Sequence, residues 1–377
     1  MSDLVICGGG IVGLSIAWRA AQAGLDVRLV DPAPTTGASY AAAGLLSPVF
    51  DPQPGEERLL DLNRASYDGW PGFAAELASV TGTDLRFQTD GTLAVARTDD
   101  DLLVLDALRR YHEGLGLPVE PLDGAGCRAL EPALAPSVRG GVRVSTEASV
   151  DPRAVCAALL DATARLGVRL VRDRVAEVRV DGGRVGGVVL RDGSVLSTDR
   201  VVVALGAWTA SSGLLPPELT PPVRPVKGQI LRLRFDPARP PLVRNVHAWA
   251  CGLEIYLVPR AAGELVVGAT VEERGFDTSV TGGGVGALLA AATEVVPGVA
   301  ELELVQSMAG LRPASADGAP VLGPTPVAGL TLATGHFRQG VLLAPVTAAV
   351  VTALIVDGRL PAVAQPFTLA RFAADGM

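Results

Sequence analysis

Histidine, cysteine and aromatic residues are scarce in this chain of 377 residues. It has three histidines, four cysteines and 4% aromatic residues. The cysteines are Cys7, Cys127, Cys156 and Cys251, and no paired spacing among them is typical of a metal site or a disulfide framework. We therefore expect no metal site, a reduced and cytoplasmic setting, and a fold that depends on its hydrophobic core.

Blocks of basic residues and long apolar runs are also lacking. The formal net charge is −8, whereas binding nucleic-acid phosphates takes a concentrated basic face. The charge-free run from Gly340 to Val356 contains Pro345 and is shorter than the ~18–20 residues that a membrane-spanning helix needs. The N-terminal sequence has no basic region or cleavage site of a secretory signal. These absences predict a small-molecule ligand, with neither nucleic acid nor a membrane as partner.

The first 31 residues have the pattern of a strand–helix–strand unit. Leu4–Cys7 is an apolar strand, an apolar helix ends near Gly24, and Val27–Val30 is a second strand closed by Asp31. Two strands joined by such a helix are parallel, so the chain begins with one unit of a parallel sheet.

The turn between the first strand and the helix carries the glycine pattern of a dinucleotide-binding site. Gly8 permits the tight turn, Gly10 lets backbone approach a pyrophosphate, and Gly13 allows close packing of helix and strand. Asp31 follows the second strand, where a carboxylate accepts hydrogen bonds from ribose hydroxyls. The acidic residue favours FAD or NAD over NADP, and this pattern alone does not separate FAD from NAD. The cofactor contacts expected in the turn are Gly8, Gly10, Ile11, Val12 and Gly13.

The pattern of the remaining chain favours FAD. A helix capped by Asp151 and ended by Gly167 precedes alternating strands, and the run Val201–Leu205 is apolar enough to be an interior parallel strand. Strands that alternate as in an antiparallel sheet dominate residues 221–305, and a further strand at Leu330–Ala333 precedes a final helix. The first sheet is thus interrupted and resumed, an arrangement typical of FAD oxidoreductases.

These patterns predict an α/β protein with additional antiparallel β structure. We expect a Rossmann-type FAD-binding domain that is interleaved with a mixed-sheet substrate-binding domain. The predicted FAD-binding domain comprises residues 1–86, 146–218 and 306–377. The predicted substrate-binding domain comprises residues 87–145 and 219–305, and the substrate pocket is expected between the two.

Several segments in addition to the glycine turn resemble the D-amino acid oxidase superfamily of FAD-dependent oxidoreductases, and within it the ThiO-type glycine oxidases. They occur in the family's order over nearly the full length. The segments are ASYAAAGLLSP, VVVALGAWT, RPVKGQ, YLVPR, LVVGAT, GLRPASADGAPVLG and GHFRQGVLLAP.

The resemblance implies roles for single residues. Arg312 would bind the substrate carboxylate, Tyr256 would contact substrate through its hydroxyl, and Arg338 would line the substrate pocket. Arg260 and Asp317 are expected to make structural ion pairs or turns instead. Further positions matching FAD contacts are Ser39, Ala43, Gly44, Leu45, Val175, Gly206, His336, Phe337, Arg338, Gln339, Gly340, Val341 and Leu342.

Part of that last group is expected to act through its backbone. Residues from His336 to Leu342 would begin the final helix, and their N–H groups would then face the flavin. No cysteine lies near the GLRP segment, so the FAD is expected to be noncovalent. Gln339 and Val271 depart from the asparagine and methionine common in glycine oxidases, which leaves the preferred amine open.

The implied reaction is oxidative deamination of glycine, and of sarcosine or small D-amino acids. Hydride transfer to flavin N5 would give an imine, oxygen would reoxidise the flavin to form hydrogen peroxide, and the imine could feed thiamin (thiazole) biosynthesis. Family members are often tetramers, so a homo-oligomer is a further expectation. Two alternatives are an FAD-dependent D-amino acid dehydrogenase that passes electrons to a carrier, and a non-catalytic flavin-binding subunit of a larger dehydrogenase.

Overall fold

The computed structural model of the protein describes residues 2–49 and 55–372. The strands in these ranges are β1 Leu4–Cys7, β2 Val27–Val30, β3 Leu45–Leu46, β4 Thr92–Ala96, β5 Glu120–Asp123, β6 Gly140–Val144, β7 Ala148–Ser149, β8 Arg169–Val171, β9 Val175–Asp181, β10 Arg184–Leu190, β11 Val195–Leu196, β12 Val201–Val203, β13 Val223–Arg234, β14 Asn245–Ala250, β15 Leu253–Arg260, β16 Glu264–Gly268, β17 Glu303–Ser315, β18 Val321–Pro324 and β19 Leu330–Thr334. The α-helices are α1 Ile11–Gln22, α2 Ala38–Ala41, α3 Glu57–Thr81, α4 Asp99–Gly114, α5 Gly124–Leu130, α6 Pro152–Arg165, α7 Gly282–Val295 and α8 Ala344–Asp357.

The first sheet has six strands in the order β18-β19-β12-β1-β2-β8. All neighbours are parallel except β18 and β19, and β12 lies between β1 and β19 as an interior strand. Helices α1, α3, α6 and α8 pack together and bury side chains such as Leu14, Trp18 and Leu159 in a common core. The strand–helix–strand unit and the interior strand predicted near Val201 are confirmed.

The second large sheet has eight strands in the order β17-β13-β16-β15-β14-β4-β6-β5. Neighbouring strands are antiparallel except β14 and β4. Helix α7 packs its apolar side, including Leu288 and Val295, against residues of this sheet such as Leu257 and Val267. The combination of a mainly parallel and a mainly antiparallel sheet confirms the predicted fold class, and the match to a solved glycine oxidase given below supports it.

The helix caps of α6 are those that its sequence predicts. The Asp151 side chain accepts a hydrogen bond from the Arg153 N–H at 3.0 Å, and Pro152 occupies the first turn. Gly167 lies beyond the C-cap in the left-handed region, with φ of 79°. A local signal at each end therefore fixes this helix.

Two elements differ from the prediction. The strand-dominated stretch 221–305 also contains helix α7, whose N-cap Thr281 accepts a hydrogen bond from the Gly284 N–H at 3.1 Å. The final helix begins at Ala344 rather than within residues 336–342. Those residues form turns because His336 forms an isolated bridge with Ala314, a non-local contact that the local pattern does not contain.

The predicted domain boundaries remain a prediction, although strand β17 crosses one of them. Its residues pair with β13 from Val223↔Ser315 to Arg234↔Glu303, so the strand lies in the eight-stranded sheet along its whole length. The predicted boundary at residue 306 would divide this strand after its first residues.

Within the described ranges, no single helix is long and apolar enough to cross a membrane. Helix α8 followed by Ala362–Phe372 meets the length and composition criteria only as a pair that is bent by 106°. Residues of α8 such as Val346 and Val351 are buried in the core of the six-stranded sheet.

A buried arginine of β15 ties the eight-stranded sheet to two other segments. Arg260 is 1% exposed, and its guanidinium donates to the carbonyl oxygens of Val150 and Ala43, both at 2.7 Å. Its Nε donates to Glu264 Oε1 at 3.0 Å. The predicted structural role of Arg260 is thus confirmed. Asp317 is likewise paired with Arg371, at 2.8 Å.

We expect the Arg260→Leu substitution to lower the free energy of unfolding by about 3 kcal/mol, because two buried carbonyl oxygens would lose their donors. Urea denaturation of the FAD-loaded protein measures this change. Arg234→Leu is the matched control, because Arg234 pairs with Glu303 at the surface, where both side chains are 61% exposed, and should cost less than ~1 kcal/mol. Equal effects of the two substitutions would contradict the assignment.

Candidate active site

A cavity of about 880 Å³ lies between the two large sheets. It is long, and it extends from the turn after β1 and the end of β2 to the facing strands β13, β15 and β17. We call the first part the nucleotide end and the second part the substrate end, according to the roles that the sequence predicts.

The glycine turn at the nucleotide end leaves no space for a side chain at Gly8 or Gly13. A Cβ on Gly8 would lie 2.3 Å from the Ala204 carbonyl oxygen, and a Cβ on Gly13 would lie 1.9 Å from the Gly8 oxygen. Gly8 also has a φ of +112°, which is unfavourable for other residues. The N-terminus of α1 consequently comes close to the cavity, where Gly10, Ile11 and Val12 join Gly8 in the wall.

Asp31 is held by the backbone at the end of β2. The Gly9 N–H donates to Asp31 Oδ2 at 2.6 Å, and the Ala33 N–H donates to Oδ1 at 2.8 Å. A carboxylate has about four acceptor positions, so these two bonds orient the group and leave others for a ligand. Val175 and Gly206, both predicted contacts, line the same end of the cavity.

The predicted loop Ser39–Leu45 forms the middle of the cavity wall. The Ile11 N–H donates to the Ser39 hydroxyl at 3.0 Å, which connects the loop to the start of α1. Gly44 has a φ of +82°, and a Cβ there would lie 2.0 Å from the Val150 oxygen. Ala43 and Leu45 also line the cavity. A glycine at position 44 is therefore needed for the loop to pack against Val150 while it lines the cavity.

Arg312 of β17 projects over the neighbouring strand at the substrate end. A Cβ on Gly228 would lie 2.4 Å from Arg312 Nη1, so the guanidinium lies flat on that glycine. Arg312 Nη1 donates to the Thr270 carbonyl oxygen at 3.1 Å. No acidic side chain of residues 2–49 and 55–372 forms an ion pair with Arg312, and the cation faces a cavity instead.

Tyr256 lies on β15, which is separated from β17, the strand of Arg312, by β13 and β16. Its ring packs on Gly268 of β16, where a Cβ would lie 2.5 Å from the Tyr256 hydroxyl oxygen. Two glycines, Gly228 and Gly268, thus accommodate the side chains of Arg312 and Tyr256. Neither glycine was predicted from the sequence, because each packs against a side chain from another strand.

The turn from His336 to Arg338 closes the substrate end. The Phe337 N–H donates to the Pro313 carbonyl oxygen at 2.9 Å, and Phe337 has a φ of +46°. His336 is 3% exposed, and its Nε2 lies 3.0 Å from Thr347 Oγ1. Arg338 lies 3.6 Å from Glu56 Oε2. Gly340 and Val341 follow these residues in the cavity wall.

Three predicted contacts do not line the cavity as the structure describes it. Gly13 lies behind Gly8, the side chain of Gln339 is buried, and the Leu342 carbonyl accepts hydrogen bonds from Ser66 at 2.6 Å and Trp70 at 2.8 Å. Leu342 therefore connects its turn to α3.

His247 of β14 is a cavity residue that the sequence analysis missed. It pairs with Tyr256 across the strands, and the two ring centroids are 6.1 Å apart. Burial, together with the positive charge of Arg338, lowers the pKa of His247 to about 4, so the imidazole is neutral at pH 7. A histidine in an alternating strand, within a chain that has only three, was the signal that could have identified it.

A buried lysine holds the segment that supports Arg312. Lys227 is fully buried, and its Nζ donates to Asp277 Oδ2 at 2.8 Å. The Lys227 N–H also donates to the Glu272 carbonyl oxygen at 2.9 Å. Pairing with the lysine holds the pKa of Asp277 well below its usual range. These contacts fix residues 270–277 beside β13, and Thr270 is the residue that accepts from Arg312.

Comparison with known proteins gives concordant matches in sequence and in structure. A family model described as FAD dependent oxidoreductase (DAO) matches residues 3–354. The bifunctional protein ThiO/ThiG of Nostoc sp. is 34% identical over 361 residues, which cover 94% of this chain and 53% of that protein. This chain therefore spans about half the length of such bifunctional relatives.

Two further relatives match along their whole length. The crystal structure of glycine oxidase from Geobacillus kaustophilus superposes with a TM-score of 0.91 at 32% identity, and the match covers 98% of each chain. The hydrogen cyanide synthase subunit HcnC of Pseudomonas aeruginosa is 29% identical over 406 residues, which cover 98% of this chain and 96% of that protein.

The two buried cavity histidines predict a pH-dependent stability. Burial lowers the pKa of His336 to about 4, as it does that of His247, whereas histidine in an unfolded chain titrates near ~6.5. Between these values the unfolded state binds more protons, so the free energy of unfolding should fall as pH falls from 6.5 to 4. For each histidine, the free energy of unfolding should decrease by about 2 kcal/mol as the pH falls from 6.5 to 5.

Urea denaturation of the FAD-loaded protein at several pH values tests this dependence. His336→Gln should remove roughly half of the histidine contribution to the slope. Thr347→Val is the control, because it removes the hydroxyl bonded to His336 but keeps the titrating ring, and should lower stability without changing the slope. A His336→Gln variant with the parental slope would show that this histidine is not buried in its neutral form.

Proposed function

We propose, from the premise that this chain belongs to the DAO family of FAD-dependent oxidoreductases, that it is a glycine oxidase. It would convert glycine to its imine, with oxygen as the final electron acceptor and hydrogen peroxide as a product. The imine would hydrolyse or enter thiamin biosynthesis, as the ThiO/ThiG relatives suggest by their names.

The cofactor is noncovalent FAD, and the residues at the nucleotide end fit it. Gly8 and Gly44 line the cavity because their lack of a side chain lets them pack on the backbone of Ala204 and Val150, and the N-terminus of α1 offers N–H groups to a pyrophosphate. Asp31 would accept the ribose hydroxyls. Within the described residues, no cysteine lines the cavity to form a covalent link.

The observation that carries the proposal is the guanidinium of Arg312, a cation without an ion-pair partner in the described part of the chain. Arginine binds a carboxylate through two parallel hydrogen bonds, and such bonds are stronger where water is excluded. Thr270 accepts one N–H of Arg312 and thereby fixes the direction of the others. A small amino acid supplies the carboxylate that this site lacks.

The remaining groups orient the substrate without adding charge beside its amine. His247 is neutral at pH 7 and lies next to Tyr256, while the charge of Arg338 is balanced by Glu56. The site therefore does not disfavour the neutral form of the substrate amine. The lone pair of that amine assists the departure of the hydride from the substrate Cα. When bound, FAD would supply the acceptor for that hydride.

The rival function is an FAD-dependent dehydrogenase that delivers electrons to a carrier. The likeness to HcnC, a subunit of hydrogen cyanide synthase, is the observation that supports considering it. Both functions use the same carboxylate site, so they differ only in how the cofactor is reoxidised.

The visible spectrum of the purified protein tests the proposal. Without oxygen, glycine should bleach the oxidised-flavin bands, and admitting air should restore them within seconds while hydrogen peroxide forms. Bands that bleach and recover only with an artificial acceptor would favour the dehydrogenase. Bands that persist with glycine, sarcosine and D-alanine would overturn the proposed substrate class while leaving FAD in place.

Arg312→Ala should raise the KM for glycine by about 10²–10³-fold, because two charge-assisted hydrogen bonds to the carboxylate are lost. Steady-state oxygen consumption measures this change, and the flavin spectrum shows that the cofactor remains bound. Arg224→Ala is the control: Arg224 lies on the adjacent strand, is 55% exposed and pairs with Glu273, so its loss should leave KM within about twofold. An unchanged KM in Arg312→Ala would exclude the carboxylate role.

A further inference from the structure

We propose that Glu254 extends the substrate range of this cavity to amino acids that carry a second, cationic group at the end of their side chain. This inference rests on the proposed function, because it concerns the substrate of the same site. Glu254 was not among the residues that the sequence analysis identified, and it lines the cavity near its opening.

Glu254 belongs to a hairpin whose geometry turns it toward the cavity. Strands β14 and β15 are joined by Cys251 and Gly252, which have φ values of 52° and 75°, as in a two-residue turn of the primed type. Glu254 lies two positions before Tyr256, so both side chains are on one face of β15. Ile255, on the opposite face, is fully buried in the core that packs against α7.

The strand register gives the distance between Glu254 and the carboxylate-binding arginine. Tyr256 pairs with Gly268, and Gly268 pairs with Ile230 of β13. Glu254 lies two positions before Tyr256 on β15, and Gly228 lies two positions before Ile230 on β13. These two strands run in the same direction, and β16 lies between them in the sheet. Their backbones are therefore separated by two strand spacings, about 10 Å, and the guanidinium of Arg312 lies on Gly228.

The cavity opens between β15 and the segment that follows β16. The pairing of β15 with β16 ends at Gly268, whereas the chain beyond Gly268 stays beside β13, where the Thr270 N–H donates to the Gln229 carbonyl oxygen at 3.2 Å. Ala269 and Val271 follow Gly268 and line the cavity, and Val271 is 72% exposed. The gap is thus bounded by small or apolar side chains with a cation at one side and Glu254 at the other.

The charges around the substrate end leave Glu254 available for a ligand. Arg338 is already balanced by Glu56 at 3.6 Å, and His247 is neutral at pH 7. Within the described residues, Glu254 forms no ion pair, and the other acidic residues of the cavity wall, Asp31 and Asp173, are at the nucleotide end. Glu254 is therefore the acid that faces the distal part of a bound substrate.

An amino acid bound to Arg312 by its carboxylate would direct a long side chain across this gap. A chain of about three or four methylene groups ending in an ammonium, as in lysine, would bring its charge near the Glu254 carboxylate. Attraction between opposite charges in a partly enclosed site would favour such a substrate over a neutral one of equal length. Glycine has no side chain, so its binding does not use Glu254.

Anaerobic flavin reduction by D-lysine and by D-norleucine, its uncharged counterpart, tests the inference. The parent protein should show a ratio of second-order rate constants of about fivefold or more in favour of D-lysine. Glu254→Gln should bring the ratio to about one, and Glu254→Lys should make D-glutamate a better substrate than D-lysine. Adding ~0.5 M NaCl should reduce the parental ratio, because salt screens an ion pair at a cavity opening.

Glu273→Gln is the control variant, because Glu273 is 61% exposed, pairs with Arg224 and does not line the cavity. It should keep the parental ratio. A ratio near one in the parent, or a ratio that Glu254→Gln leaves unchanged, would overturn the inference while glycine oxidation stands. Reduction by D-lysine that depends on Glu254, without reduction by glycine, would support the inference and reject glycine as a substrate. If no amino acid reduces the flavin, both proposals fail.

Discussion

The cavity depends on one guanidinium that is buried between three segments of the chain. Arg260 binds the carbonyl oxygens of Ala43 and Val150 and the carboxylate of Glu264. Ala43 belongs to the loop that forms the middle of the cavity wall. Val150 precedes helix α6, which packs in the core of the six-stranded sheet. Because buried backbone oxygens need donors, the eight-stranded sheet fixes the loop by satisfying them. The relative position of the cofactor loop and the substrate strands follows from these bonds.

Charge is distributed differently at the two ends of the cavity. At the nucleotide end, Asp31 is oriented by backbone N–H groups. At the substrate end, Arg312 is held by carbonyl oxygens and keeps its charge uncompensated by the described residues. A cation supported by dipoles retains a strong preference for an anionic ligand, whereas one that is already paired with a carboxylate would lose most of it. This difference makes Arg312, rather than Arg338 with its partner Glu56, the carboxylate-binding group of the proposed function.

Local patterns in the sequence were sufficient for the parallel half of the fold and for much of the site. The glycine turn and the caps of α6 are encoded by neighbouring residues, and the predicted elements were found there. Helix α7 was missed because three glycines, which are poor helix formers, follow its cap. The start of the final helix was misplaced because the bridge between His336 and Ala314 is a contact between distant segments. His247 and Gly228 were missed for the same reason. The role of each depends on a side chain from another strand, which is Tyr256 for His247 and Arg312 for Gly228.

The long pairing between β13 and β17 constrains how this site can change in evolution. The two strands remain in register over twelve residues of β13 with a single irregularity, and Arg312 and Gly228 both depend on that register. Insertion or deletion of one residue in either strand would turn Arg312 to the opposite face of the sheet. Glu254 is exposed on the hairpin of β14 and β15, whereas the Thr270 carbonyl that holds Arg312 belongs to another segment, so exchange of the Glu254 side chain should leave that backbone in place. Descendants of this chain would therefore acquire new substrates by point substitution at the hairpin, while the carboxylate anchor is inherited unchanged.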